Sequence, residues 1–433
     1  MIERPILIIG AGISGLSAAR LLQQRGMPCV VFEQSTPDKS QGYAITVRDW
    51  AFEPLLDGIA GVSVSDFQKG VAVDRELGGT GLVDLTFRNN GTGEILFNPE
   101  QSQKGNKVSL FRANRSVLRD WLGEGVDIRY GYKLKAVQGG PGNVKAIFEN
   151  NEEVEGSILI AADGVHSGGK YTYLSRRSCT RLIPSLVRQS LLPQVHVQTP
   201  PVILFHGKRR MTVAEWHELW SAHIGESTIG AGVGDDFNTF VTVANATKEG
   251  LIDLDWTYSR SRVSESDPLW MPDRGEILKA PQHLLKEIRS KDLVPPFSTL
   301  INADDIKKSK VYNWRIWALQ VQRKELDKAA ESGVVFIGDA VHAMPIFGGE
   351  GGNHAMLDAV ELTAIIAERK AGLSDTNVTD IIRNFYDVAY GRGQGAVKRC
   401  LQRFSQFHQP IGGWKKVAEM ATKSGNSSSE TVQ

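Results

Sequence analysis

The sequence predicts an α/β fold: a parallel sheet carrying a glycine-rich loop, a mixed β-sheet inserted into it, and helices at the C-terminal end. Three observations predict it. An apolar run, Ile6–Ile9, is followed at once by Gly10-Ala11-Gly12-Ile13-Ser14-Gly15 and then by apolar residues at helical spacing. A second apolar run, 334–337, leads into another glycine-rich stretch, "GDAVHAMPIFGGEGGNHA". Between them, "TFVTVANATKEGLIDLDWTYSR" at 239–260 alternates with period two and reads as two strands around a turn.

The first loop has the geometry a dinucleotide needs. Gly10 allows a tight turn, Gly12 lets the backbone approach a pyrophosphate, and Gly15 lets helix and strand pack closely. Leu16, Ala19 and Leu22 carry a helix up to Gly26, whose positive end meets the phosphates. The next apolar run, 29–32, ends in Glu33, a carboxylate placed to accept hydrogen bonds from an adenosine ribose. It would repel a 2′-phosphate, which favours NAD or FAD over NADP at this loop.

The second loop repeats the logic. Gly338-Asp339 puts a carboxylate just past a strand's C-terminal end, where open α/β sheets bind ligands, and it can hold a ribitol or ribose hydroxyl. A helix is expected over 353–370, with Met356, Leu357, Val360 and Ile365 inward and Gly372 as its cap. Glycines at 348, 349, 351 and 352 clear side chains from its N-terminus, whose N–H groups and dipole would stabilise a negative charge. Reduced flavin carries such a charge at its N1/C2-carbonyl edge. Two loops on one chain therefore suggest one long ligand, FAD, gripped at both ends.

Bulk properties narrow the field. The 433 residues suggest two or three domains, and 50 basic against 49 acidic side chains leave a net charge of +1, which gives no support for a nucleic-acid partner. The run "GKRR" at 207–210 reads as a solvated turn. Cys29, Cys179 and Cys400 are far apart and form neither a metal site nor a disulfide framework, so a reducing, cytoplasmic compartment is expected. The opening "PILIIGAGISGLSAARLL" resembles a secretion signal but follows an acidic residue and lacks a clean cleavage site. No uncharged apolar run is long enough for a membrane span. The tail "TKSGNSSSETVQ" has the composition of a disordered segment.

The strand–GxGxxG–helix unit, "ADGVHS" at 162–167 and "GDAVHAMPIFGGEGGNHAMLDA" together resemble the class A, single-component FAD-dependent aromatic hydroxylases, nearest to fungal-type monooxygenases of secondary metabolism. The resemblance implies a Rossmann-like FAD-binding domain, discontinuous over 1–75, 105–175 and 325–410, with a mixed β-sheet substrate domain from 76–104 and 188–324, and a C-terminal helix and tail over 411–433. It also implies FAD contacts at Gly10, Gly12, Ser14, Gly15, Glu33, Asp163 and Asp339, with Pro345 on the oxygen side and the backbone of Gly351, Gly352 and Asn353 facing the isoalloxazine. "FRANRSVLRDWL" resembles the family's R-x-x-L-R-x-x-L helix, making Arg115 a FAD contact and leaving Arg119 as a solvated cation.

Only one full dinucleotide fingerprint is present, so NADH or NADPH would visit a groove rather than own a domain. The family chemistry is reduction of FAD, reaction with O2 to a C4a-hydroperoxide, and hydroxylation or epoxidation of a small aromatic or polyketide-type metabolite. His342 and His354 are the acid/base candidates. On the second strand of 239–260, Trp256 and Tyr258 share a face with Ile252 and Leu254, and they are the residues expected to meet the substrate; Asp253, Asp255 and Thr257 share the other face. "WRIW" at 314–317 reads as a buried strand. Two rival readings stay open: a flavin oxidase or dehydrogenase that releases peroxide, and a non-catalytic binding protein on a flavin-type fold. Oligomeric state is open too.

One stretch departs from the family pattern. The family motif reads D-G-x-x-S-x-x-R, and Asp163-Gly164-Val165-His166-Ser167 begins it, but Lys170 stands where the arginine belongs. The missing ending appears later as Val187-Arg188-Gln189-Ser190-Leu191-Leu192-Pro193. Removing residues 168–186, with one kept, restores "ADGVHSxVRQSLLP". Gly169-Lys170-Tyr171 can be encoded as GGT-AAG-TAT, which contains a splice-donor sequence. The segment is expected to be a translated, retained intron, with Arg188 as the NAD(P)H-side cation; if it is a genuine loop, Lys170 takes that place.

Overall fold

The computed structural model describes residues 4–37, 42–101, 103–104, 107–165, 186–271, 275–277, 279–368, 375–414 and 416. Its first layer is a five-stranded sheet in the order Val334–Phe336, Leu159–Ala161, Ile6–Ile9, Cys29–Glu33, Ile128–Tyr130. Every neighbouring pair is parallel. Ile6–Ile9 is buried throughout, as a strand covered on both faces requires. Because the strands run one way, the glycine loop, Glu33, Asp163 and Asp339 all fall at or just past the same sheet edge. Neighbouring strands lead away from Ile6–Ile9 on both sides there, making it the point where such sheets bind ligands.

The glycine loop is shaped by packing as much as by any ligand. Gly10 has φ +107°, and a Cβ on it would lie 2.5 Å from the Ala162 carbonyl oxygen. A Cβ on Gly15 would lie 2.0 Å from the Gly10 oxygen. These two glycines let helix Ile13–Gln24 descend directly onto the sheet.

The second layer is an eight-stranded sheet ordered Gly275–Ile277, Val311–Asn313, Val202–Thr212, Leu251–Ser261, Phe237–Ala246, Ile229–Gly234, Asp84–Asn89, Ile95–Gln101. Its pairs are antiparallel except Ile229–Gly234 with Asp84–Asn89. The "GKRR" run is not a turn: it lies inside strand Val202–Thr212, with Lys208 and Arg210 exposed and Gly207 packed beneath Trp256. Nor is 314–317 a strand; the strand ends at Asn313, and Trp314 instead stacks on His206 with ring centroids 5.1 Å apart.

The second glycine stretch leads into helix Gly351–Glu368, beginning two residues earlier than its sequence pattern suggests, followed by the long helix Asp375–Phe407. Met356 is buried, while Leu357, Val360 and Ile365 are only partly so; Gly372 lies outside the described residues. So do Cys179, His166, Ser167, Lys170, nearly all of the 168–186 segment and the tail after 416. No helix among the described residues is long and apolar enough to cross a membrane.

Candidate active site

Each motif residue is held by its own local chemistry. The Glu33 carboxylate accepts from the Ala11 N–H at 2.9 Å and the Ser35 N–H at 2.8 Å, which fixes it beside the glycine loop. Arg119 is not merely solvated: its Nε donates to the Ala11 carbonyl at 2.8 Å and braces that loop from the next helix. Asn353 is fully buried; its side chain donates to the Thr46 carbonyl at 2.9 Å and accepts from the Arg48 N–H at 2.8 Å. It thereby staples the helix N-terminus to strand Ala44–Arg48.

These elements and the eight-stranded sheet enclose one cavity of about 420 Å³. Gly12, Ser14, Arg115, Asp339, Pro345, Gly351 and Gly352 line its floor side. Leu204, His206, Phe240, Thr242, Asp255 and Thr257 line the opposite side from the sheet. Protein packed around Asp339 pushes its carboxyl up from the ordinary carboxylate range, although the residue keeps exposed surface where it lines the cavity.

The floor fits FAD on its own terms. A Cβ on Gly12 would meet nothing within 4 Å, so backbone is bare where a pyrophosphate would pass. Arg115 Nη1 is buried without an acceptor among the described residues, its guanidinium lying 5.3 Å from the centre of the Tyr43 ring. The Asp339 carboxylate accepts no hydrogen bond from the described residues. An open cradle, a spare donor and a spare acceptor suit phosphate and ribityl groups.

Two expectations about individual side chains are corrected. Trp256 and Tyr258 face away from the cavity into a core beneath helix Gln282–Arg289, and the Tyr258 hydroxyl donates to Glu287 at 2.5 Å. The strand's polar face lines the site because its apolar face is already covered. Arg188 has no exposed surface; it donates to the Ala340 carbonyl at 2.9 Å and reaches the Val165 carbonyl at 3.5 Å. Burial lowers its guanidinium from the ordinary arginine value, Asp163 opposing, and its bonds join the two motifs. Asp163 is likewise buried and accepts from the Val187 N–H at 3.3 Å.

His342 and His354 do not line the cavity. His342 Nε2 donates to Asp358 at 2.6 Å, and although burial opposes it, that carboxylate raises the imidazole above its ordinary value. Arg392 donates to Asp358 and to His354 Nδ1, both at 3.0 Å, tying helix Asp375–Phe407 to the second glycine stretch. Glu350 is burial-disfavoured as an anion, yet His354 and Arg403 hold it down to about 2. These charges position the loop, and of them Glu350 also lines the cavity.

The profile of the FAD binding domain family matches residues 3–173 and 287–380. Among curated proteins, the chain is 45% identical to the FAD-dependent monooxygenase adaC of Aspergillus niger over 424 residues, 96% of each chain. It is 42% identical to the FAD-dependent monooxygenase aptC of Emericella nidulans, covering 96% of this chain and 98% of the relative. Among solved structures, CtdE with FAD and a substrate aligns at a TM-score of 0.70 and 14% identity, covering 94% of this chain and 90% of that one. A salicylate hydroxylase substrate complex aligns at 0.69 and 16% identity, covering 97% and 94%. At those identities the structures show shared fold alone.

Proposed function

We propose, since this chain belongs to the FAD binding domain family and to the fungal FAD-dependent monooxygenases, that it uses NADH or NADPH and O2 to hydroxylate or epoxidise a small aromatic or polyketide-type metabolite. One observation carries the reading. A single cavity has the FAD-type floor on one side and a sheet face with aromatic neighbours on the other, so a flavin ring and a flat substrate would meet face to face. FAD, when bound, would supply the hydride acceptor and the activation of oxygen; the protein orients, stabilises charge and excludes water.

In this reading Gly12 and Ser14 pass the pyrophosphate, Glu33 takes the adenosine ribose, and Asp339 takes the ribityl chain. Arg115 offers its spare donor to the phosphates. The N–H groups at the start of helix Gly351–Glu368 stabilise negative charge on the reduced ring, with Pro345 beside it. Asp163 and Arg188 act behind the ligand by holding the motifs together. A cytoplasmic location accords with the free thiols Cys29 and Cys400. The test is a metabolite screen scored by substrate-stimulated NADH or NADPH oxidation. Stoichiometric peroxide without a nicotinamide would instead favour an oxidase, and a colourless protein would favour a binding module.

The 168–186 segment belongs to the same proposal as a retained intron. The described residues on its two sides meet, since Val187 bonds Asp163 and Arg188 reaches Val165. A short link therefore suffices to close the chain. Deleting the segment with one residue kept is expected to preserve FAD content and to raise NAD(P)H oxidation, by up to about a hundredfold if the segment misplaces the hydride donor. Lower activity in the shortened chain, with every transcript retaining the segment, would restore Lys170's claim.

A further inference from the structure

Strand Leu251–Ser261 brings a carboxyl group into the cavity wall. Asp255 is 7% exposed and lines the site, yet its Oδ1 has no hydrogen-bond donor among the described residues. His206, on the paired strand Val202–Thr212, places Nε2 3.9 Å from that oxygen and is itself 7% exposed. The nearby cations donate elsewhere, although Arg112 Nε is itself buried without an acceptor among the described residues. Arg112 donates to the Thr46 hydroxyl at 3.1 Å and the Ala44 carbonyl at 2.9 Å, and Lys208 to the Gly42 carbonyl at 2.9 Å. A buried carboxylate without a donor is costly, and a fold that keeps one at the wall of a ligand cavity leaves its acceptor for the ligand.

We infer that Asp255, with His206 beside it, is the catalytic base that takes the proton of an acidic substrate hydroxyl, so that the substrate class is a phenol or enol. This rests on the monooxygenase reading. The substrate O–H bond breaks, an O–H bond forms on the Asp255 carboxylate, and the electron pair stays on the substrate oxygen. Delocalised into the ring or enol, that pair enriches the carbon that receives oxygen.

The surroundings select a hydroxyl over an amine. Arg112, from strand Leu110–Asn114, and Lys208 put positive potential around Asp255; this would repel an ammonium group and stabilise the anion formed. Asp253, on the same strand as Asp255, is the acidic group acting on it, and Arg210 holds that carboxylate at 2.6 Å. Trp314, Tyr43 and Phe240 supply flat apolar walls for a ring. Burial, against the pull of Lys208 and Arg112, raises the Asp255 carboxyl to about 6, which leaves it ionised yet basic near neutrality. Burial pushes His206 down to about 4, so the imidazole is neutral and does not neutralise the acid.

The test uses oxidised FAD-loaded protein and alizarin, a flat hydroxyarene, at a pH where free alizarin is an anion. Calorimetry in buffers of different ionisation heat reads the protons exchanged on binding. A site with Asp255 facing the hydroxyl should take up about one proton per alizarin, because two anions share it, and Asp255→Asn should take up close to none. Asp253→Asn should retain the uptake. If Asp255→Asn loses FAD, Asp255→Thr, which a strand accommodates, takes its place. No uptake by the unaltered protein, or equal uptake by it and the Asp255 variant, overturns the assignment. No nicotinamide or turnover is involved, so this result can fail while oxygen insertion stands, and the reverse.

Discussion

Gly10→Val should yield a chain that loses a large part of its stability and does not retain FAD. Gly10 sits at φ +107°, a region that side-chain-bearing residues rarely occupy. A Cβ there would lie 2.5 Å from the Ala162 oxygen and 2.9 Å from its carbonyl carbon. Both are backbone atoms just past Leu159–Ala161, the strand hydrogen-bonded beside Ile6–Ile9, so relief requires parting the centre of the parallel sheet. Backbone strain and overlap together should cost roughly 3–5 kcal/mol against a total of about 5–15 for a typical domain. Thermal unfolding and flavin absorbance per chain report both losses. Ordinary FAD content in this variant would show that the loop does not hold the geometry described.

Asp339→Ala should weaken FAD binding by about tenfold to a hundredfold, corresponding to roughly 1.5–3 kcal/mol for a charge-assisted hydrogen bond. It should do so without destabilising the apoprotein, because its carboxylate accepts nothing from the described residues and is disfavoured as an anion by its enclosure. Glu33→Ala should behave differently. Its carboxylate satisfies the Ala11 and Ser35 N–H groups, so removing it should lower apoprotein stability as well as FAD affinity, with the smaller loss of affinity. FAD titration and apoprotein melting separate the two effects. Unchanged or tighter FAD binding by Asp339→Ala would remove that residue from the site.

The parallel sheet and its glycine loop are legible in the sequence because each depends on neighbours in the chain. Ile6–Ile9 must be apolar to be buried on both faces, and Gly10 and Gly15 must lack side chains to pack. Residues that depend on distant partners are not legible in that way. Arg119 looks like a surface cation in its helix and becomes a brace only because Ala11 lies above it. Arg188 looks available for a phosphate until Val165 and Ala340 close around it. "GKRR" looks like a turn because glycine and three cations seldom fill a strand, yet Gly207 is required beneath Trp256 and one face of the strand leaves Lys208 and Arg210 exposed.

The substrate side shows the same limit. Period two in Leu251–Ser261 separates its two faces correctly, but periodicity cannot say which face a helix will cover. Helix Gln282–Arg289 covers Trp256 and Tyr258, leaving Asp255, Thr257 and Ser259 to the cavity. A charged residue inside a long, mostly buried strand was the available signal, and His206 had none of its own.

A monooxygenase places one atom of molecular oxygen in its substrate. Turnover of a substrate found in the metabolite screen, under isotopically labelled dioxygen with NADH or NADPH, tests it most directly. Product should carry one labelled oxygen atom, formed in step with nicotinamide consumed and with little peroxide released. Unlabelled product with stoichiometric peroxide would contradict it.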